Sequence, residues 1–168
     1  MFGKLLPQED YASTYDIDFA SYYKQGYRGV LFDIDNTLVE HDQPATQRAI
    51  RLFEELRAMG MQACAISNNK DYRVRPFADA VGIPYVYKAG KPSAKGYRKG
   101  MEIMGTTPET TLFVGDQLFT DVWGANRAGL HSILVGQIAK HEEIQIVLKR
   151  RLEAVVLLEY KYKKKNKK

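Results

Sequence analysis

VLFDIDNTL, residues Val30–Leu38, is an apolar run that ends in two carboxylates and then a turn. A continuous run with this much β-branched and aliphatic content fits a strand buried on both faces at the centre of a parallel sheet, here over residues 29–34. Asp33 and Asp35 then stand where that strand hands its side chains to solvent. In open α/β sheets ligands bind in the crevice outside the carboxyl ends of the strands, so a strand that ends in acids marks a candidate site.

The chain on either side extends this pattern. Upstream, Asp18 is placed to cap a short helix with Phe19, Tyr22 and Tyr23 on its apolar face, and Gly26 closes it. Residues 1–27 therefore read as a lead-in to the first strand. Downstream, Ala49, Leu52, Phe53, Leu56 and Met59 recur at three and four residues, an amphipathic helix ended by Gly60. MQACAIS follows as a second strand and stops at Ser67, Asn68 and Asn69, residue types that cap helices and make turns. Next come a helix over 71–80, the short strand PYVYKA, the loop GKPSA, a helix over 95–104, the strand TLFVGD, a short helix including Val122 to Arg127, and the strand HSILVG. Strands alternate with helices across short connections, the signature of right-handed βαβ units, so the predicted fold class is α/β with a mostly parallel central sheet.

At 168 residues the chain is the size of one domain, assigned to 1–160, with a lysine-rich tail at 161–168. The net charge is +5, but KYKKKNKK holds six of the lysines, and without them the body carries −1. The basicity thus belongs to a tail predicted to be solvated and unstructured. The sharper reading is weak attraction to anionic lipid or nucleic acid, about 1 kcal/mol per lysine near a charged membrane surface, with nucleic acid the less expected partner. The single cysteine, Cys64, excludes zinc ribbons and an internal disulfide, and its apolar surroundings predict an inert buried thiol. The N-terminus shows no apolar run of signal-peptide length, and no stretch of roughly 18 apolar residues occurs, so a cytoplasmic protein is expected. The closing segment places Ile144, Leu148, Leu152, Val155 and Val156 at near-helical spacing, with Lys149, Arg150 and Arg151 opposite. A helix packed on the body is expected there, with a basic amphipathic helix on a membrane as the alternative.

The strand ends carry the chemistry. The first ends at Asp33 and Asp35, the second at Ser67, the third leads into Lys91, and the fourth ends at Asp116 with Asp121 beyond. Taken singly, each could be a turn or a cap. Together, in order, they describe a site for a metal-bound phosphoryl group. Mg²⁺ prefers oxygen donors and binds through one or two carboxylates, for which Asp33 and Asp116 are candidates. A carboxylate can also attack phosphorus, and Asp33 is the candidate nucleophile. Asp35 is placed to protonate the leaving alkoxide and then activate water. Ser67 and Lys91, with Asn68 beside the serine, are candidates for binding the phosphoryl oxygens as charge develops.

The four segments DIDNTL, Ser67, Lys91-Pro92 and GDQLFTD resemble the four motifs of the haloacid dehalogenase (HAD) superfamily. More narrowly, LLPQEDYASTYDIDF, SNNKDYRVRPFADAVGIPYVYKAGKP and GDQLFTDVWGANRAG are similar to the YqeG-type branch of subclass IIIA phosphatases, itself similar to mitochondrial-type phosphatidylglycerophosphate phosphatases. The resemblance implies a three-layer Rossmann-like HAD fold, Mg²⁺ dependence and an aspartyl-phosphate intermediate. It assigns the nucleophile to Asp33, acid and base to Asp35, whose backbone carbonyl also ligates the metal, phosphate binding to Ser67 and Lys91, and metal to Asp116. Asp121 would be a further acid near the metal. A second aspartate at position 35 favours phosphatases over dehalogenases. The intervals between motifs leave no room for a large cap domain. An uncapped site suits a bulky substrate such as a lipid headgroup, or is completed by a neighbouring subunit in a homo-oligomer.

The expected function is Mg²⁺-dependent hydrolysis of a phosphate ester, with phosphatidylglycerophosphate as the preferred substrate. The alternatives are a soluble or nucleic-acid-end phosphate, or a module that binds RNA or a partner through its tail with the hydrolase residues idle.

Overall fold

Val30, Leu31 and Phe32 are all fully buried, and the alternation of a strand sends Val30 and Phe32 to one face of the sheet and Leu31 to the other, each face covered by helices. The computed structural model describes residues 3–139 and 144–166, and of residues 144–148 the backbone alone. A three-residue strand, β1 (Glu9–Tyr11), precedes the five expected from sequence: β2 (Gly29–Phe32), β3 (Gln62–Ile66), β4 (Tyr85–Val86), β5 (Thr111–Gly115) and β6 (His131–Val135). They pair in the order β1-β6-β5-β2-β3-β4, every ladder parallel. The helices are α1 (Phe19–Lys24), α2 (Gln47–Met59), α3 (Asp71–Val81), α4 (Ala94–Met104), α5 (Trp123–Arg127) and α6 (Ile144–Lys165).

Local sequence accounts for the helix ends. Asp18 accepts from the Ser21 amide at 3.0 Å, and Thr46 accepts from Ala49 at 3.2 Å, each satisfying an amide that the first helical turn leaves open. Gly60 and Gly82 end α2 and α3 at φ +91 and +71, a conformation that glycine takes without steric cost.

One layer packs Val30 and Phe32 against Phe53 and Phe77, with Phe32–Phe53 edge to face at 5.3 Å. The other packs Leu31 and Cys64 against Tyr97, Met101 and Phe113, with Tyr97–Phe113 at 5.2 Å. Such aromatic pairs add about 0.5–1.5 kcal/mol beyond the area they bury. Cys64 is fully buried as expected, and burial pushes its thiol up to about 12. Residues 33–46 alone separate β2 from α2, and α3 with β4 fills the interval from Ser67 to Lys91. The described residues therefore include no large cap.

Two features depart from the sequence reading. β1 lies in the supposed lead-in, where Glu-Asp-Tyr has no apolar alternation to betray a strand. It is held by its surroundings: Gln8 Oε1 accepts from the Ser132 amide at 2.7 Å and its hydroxyl at 2.5 Å, and Tyr160 Oη and Lys164 Nζ donate to Asp10 at 2.9 and 2.6 Å.

The second departure is α6. It runs through Lys165, so five residues of the predicted unstructured tail are helical. Its orientation also differs. Arg150 and Lys149 turn toward the body, where Arg150 Nη2 donates to Asp116 Oδ2 at 2.9 Å and Lys149 Nζ to Gln117 Oε1 at 3.2 Å. Leu152 and Val155 are consequently exposed, and the inward apolar contacts come from Val156 and Tyr160. A buried carboxylate outcompetes leucine for that face, because an uncompensated buried charge costs more than an exposed side chain. The expected roles of Ile144, Leu148, Lys167 and Lys168 fall outside the described side chains.

Candidate active site

β2 is flanked by β3 on one side and β5 on the other. The strand order therefore reverses at β2, and the crevice opens at the carboxyl ends of these strands. Asp33 follows β2 directly, with its amide donating to Val114 O at 3.0 Å, and Asp116 follows β5. Ser67 follows β3, with its amide donating to Val86 O at 3.0 Å. Asp33, Asp35, Ser67, Asn68, Lys91 and Asp121 line one cavity of about 310 Å³, which Arg150 also borders. A larger groove, about 850 Å³, runs between residues 6–11 and the end of α6, away from the strand ends that carry the acids.

Lys91 is the hub. Its Nζ donates to Asp33 Oδ1 at 2.8 Å and to Asp121 Oδ1 at 2.6 Å, with all three side chains buried. Burial alone would lower its pKa, but Asp121 and Asp33 outweigh that and hold it above the ordinary value. Burial pushes Asp33 up to about 6; the charge of Asp121 adds to the rise, and Lys91 opposes it. Burial, then repulsion from Asp33 and Asp121, raises Asp116 well above the usual carboxylate range, against the pull of Arg150 and Lys91.

Asp121 is delivered by a wide turn of helix, Leu118–Val122, which runs into α5 and lengthens the short helix expected from sequence. Its Oδ2 accepts from the Gln117 amide at 3.1 Å. Gly115 is required beneath it, since a Cβ there would lie 2.7 Å from the Asp121 carboxylate. Tyr97 Oη donates to the carbonyls of Thr120 and Asp121 at 3.0 and 2.9 Å, which fixes the turn from below.

The remaining candidates have partners that sequence did not reveal. Asp35 is an acceptor of three hydrogen bonds: Oδ1 from Arg73 Nη2 at 2.6 Å and the Asp42 amide at 3.1 Å, Oδ2 from Asn69 Nδ2 at 2.8 Å. The turn that presents it needs Asn36 at φ 60, a left-handed conformation that asparagine tolerates better than most residues. Asn68 clamps the Lys91 backbone, donating from Nδ2 to its carbonyl at 3.1 Å and accepting from its amide at 2.8 Å. The side chain of Asn68 therefore positions the lysine. Ser67 Oγ accepts from the Asn69 amide at 3.0 Å. Thr37, fully buried, puts its hydroxyl 3.5 Å from Asp33 Oδ2 and 3.3 Å from Asp116 Oδ1, and Gln137 Nε2 donates to Asp116 Oδ2 at 3.2 Å. Thr37 was visible in DIDNTL as a hydroxyl four residues after the nucleophile candidate. Gln137 and Arg150 carried no local signal.

Asp33, Asp116 and Asp121 each bring a carboxylate oxygen within 4.8 Å of the others, a donor set of oxygen alone. Lys91 and Arg150 offset two of the three charges. The negative charge left over, with hard oxygen donors, fits a Mg²⁺ ion, and the resulting positive site would suit a phosphate dianion.

A family model described as HAD-hydrolase-like matches residues 88–152. The chain is similar to the probable phosphatase YqeG of Bacillus subtilis, 38% identical over 159 residues that cover 94% of this chain and 92% of that protein. It is also similar to phosphatidylglycerophosphate phosphatase 1, chloroplastic/mitochondrial, of Arabidopsis thaliana, 26% identical over 91% of this chain but only 47% of that protein. Among solved structures, a HAD phosphatase from Thermococcus onnurineus superposes with TM-score 0.57 at 16% identity, covering 70% of this chain and 90% of that one. The cobalt-bound deoxy-D-mannose-octulosonate 8-phosphate phosphatase of Haemophilus influenzae does so with TM-score 0.55 at 17% identity, over 66% and 69%.

Proposed function

Because the chain belongs to the HAD superfamily of hydrolases, in the branch of the probable phosphatase YqeG, we propose that its crevice hydrolyses a phosphate monoester through an aspartyl-phosphate on Asp33, with phosphatidylglycerophosphate as the substrate. The observation that carries this reading is Asp33 at the end of the central strand, its Oδ1 gripped by Lys91 within a cluster of three buried carboxylates.

In this mechanism an Asp33 carboxylate oxygen attacks phosphorus while the bond to the ester oxygen breaks. Asp35 gives its proton to the departing alkoxide, and as a carboxylate it then takes a proton from the water that attacks the phosphoryl-enzyme. Cleavage of the phosphorus bond to Asp33 releases inorganic phosphate and restores the carboxylate. Lys91 and Ser67 border the space for the phosphoryl oxygens and supply donors as their charge builds. Mg²⁺, held by Asp33 and Asp116 with Asp121 behind, would supply positive charge against those same oxygens.

The lipid substrate is supported by the similarity to a phosphatidylglycerophosphate phosphatase and by the uncapped crevice, which leaves room for a bulky leaving group. The test is phosphate release from phosphatidylglycerophosphate in mixed micelles, from sugar phosphates and from nucleotides, each with Mg²⁺ and with chelator. Turnover of the lipid that exceeds that of every soluble ester and stops with chelator is the expected result. Preference for a soluble ester would overturn the substrate assignment, and absence of any Mg²⁺-dependent turnover would overturn the phosphatase reading.

A further inference from the structure

A helix that only packs on a protein body needs one apolar face, and α6 has two. At roughly 100° per residue, Val156, Leu157 and Tyr160 fall together on the inward side with Glu153, whose carboxylate accepts from the Phe119 amide at 3.2 Å. Leu152, Val155, Leu158 and Tyr162 fall on the opposite side within an arc of roughly 120°. Among the described residues none covers that row: its members are 59%, 59%, 69% and 70% exposed. Exposed Arg151 lies within the arc and exposed Lys165 runs along its edge. Glu159, just inside the opposite edge, is already paired at 2.5 Å with Lys163, just outside it.

We propose that the outward face of α6 docks on an anionic lipid surface, with the apolar row entering the interface and the flanking cations meeting lipid phosphates. Long aliphatic side chains beside a basic face, on a helix lying flat, are the arrangement that holds interfacial helices at the headgroup boundary, and lysine stems reach up from such a row to the headgroups. Among the described residues no helix is long and apolar enough to cross a membrane, so the mode is lateral. The charge pattern argues against a second copy as the occupant: a symmetric pairing of this face would bring the cations Arg151 and Lys165 of the two copies together. Polyanionic RNA would satisfy the cations but would leave the four apolar side chains in water.

The docking face is separate from the catalytic crevice, so lipid binding and phosphate hydrolysis can fail independently. The experiment is sedimentation of the full chain with vesicles of phosphatidylcholine alone and of equal parts phosphatidylcholine and phosphatidylglycerol. Binding to the mixed vesicles, absent with phosphatidylcholine alone and weakened by salt, is expected. Val155→Glu with Leu158→Glu should lower the partition coefficient at least about tenfold. Arg151→Glu and Lys165→Glu should each lower it about fivefold or more, since a basic residue near an anionic surface contributes about 1 kcal/mol. Hydrolysis of p-nitrophenyl phosphate in solution should be unchanged in all of them, which shows that the fold survives. Equal binding to both vesicle types would overturn the proposal, as would indifference to the Val155 and Leu158 substitutions. Capture by single-stranded RNA in place of vesicles, or a dimer that these substitutions dissociate, would assign the face to that occupant instead and likewise overturn it.

Discussion

Asp33→Asn is expected to lower kcat by about 10³-fold or more, because the amide cannot form the acyl phosphate and no other side chain takes its place. The loss should be catalytic and not structural. Lys91 keeps Asp121 at 2.6 Å when Asp33 is neutralised, so the substitution leaves no unpaired buried cation. In urea melts near pH 7 the metal-free variant should be at least as stable as the parent, because the folded state holds Asp33 less readily as the anion than the unfolded state does. Rapid quenching with phosphate-labelled substrate supplies a second readout: the parent should retain acid-stable label on the protein, and the variant none. Residual turnover near that of the parent would move the nucleophile away from Asp33.

Lys91→Met should cost stability as well as activity. The ammonium is the shared partner of two buried carboxylates, Asp33 and Asp121, and removing one member of such a buried ionic group costs about 3–5 kcal/mol. Part of that should return in the double variant Lys91→Met, Asp121→Asn, which removes a charge that has lost its partner. The pH dependence has a definite sign in protein freed of metal by chelator. Asp33 already sits above its ordinary value of 3.8, at about 6, so the folded state holds its proton more tightly than the unfolded state, and stability falls as pH rises through that interval. Lys91, through its charge and its hydrogen bond, restrains this rise; without it the folded value climbs further. The deficit of the variant should therefore be small near pH 4 and grow above pH 6, as urea melts across that range would show. A deficit independent of pH would mean that the lysine stabilises through packing alone.

The residues at the ends of β2, β3 and β5 were legible because a buried strand is a continuous apolar run, and the first polar side chain after it lies at the carboxyl end of the strand. That rule needs only local sequence, and it located Asp33, Ser67 and Asp116 to the residue. The partners of these groups were not legible for the opposite reason. Arg73 reaches Asp35 from α3, and Arg150 reaches Asp116 across 34 residues of chain. In sequence both arginines look like solvated charges on helices. Asn68, expected to bind phosphate beside Ser67, also holds the backbone of Lys91, a contact set by how the two loops meet. The outward face of α6 was misassigned by the same limit: helical periodicity shows that two faces differ, but which one turns inward was decided by a carboxylate elsewhere in the fold. β1 escaped notice because an edge strand of three residues needs a neighbour with open backbone groups more than it needs a pattern of its own.

The crevice is assembled from side chains that share almost no chain with one another, since Asp33, Ser67 and Asp116 hang from neighbouring strands of one sheet. No local fraying can separate them while the middle of the sheet holds, because β2 and β5 are each paired on both sides. Thermal inactivation should therefore superimpose on the loss of the sheet as a single cooperative event, and hydrolysis becomes an assay for the integrity of the core.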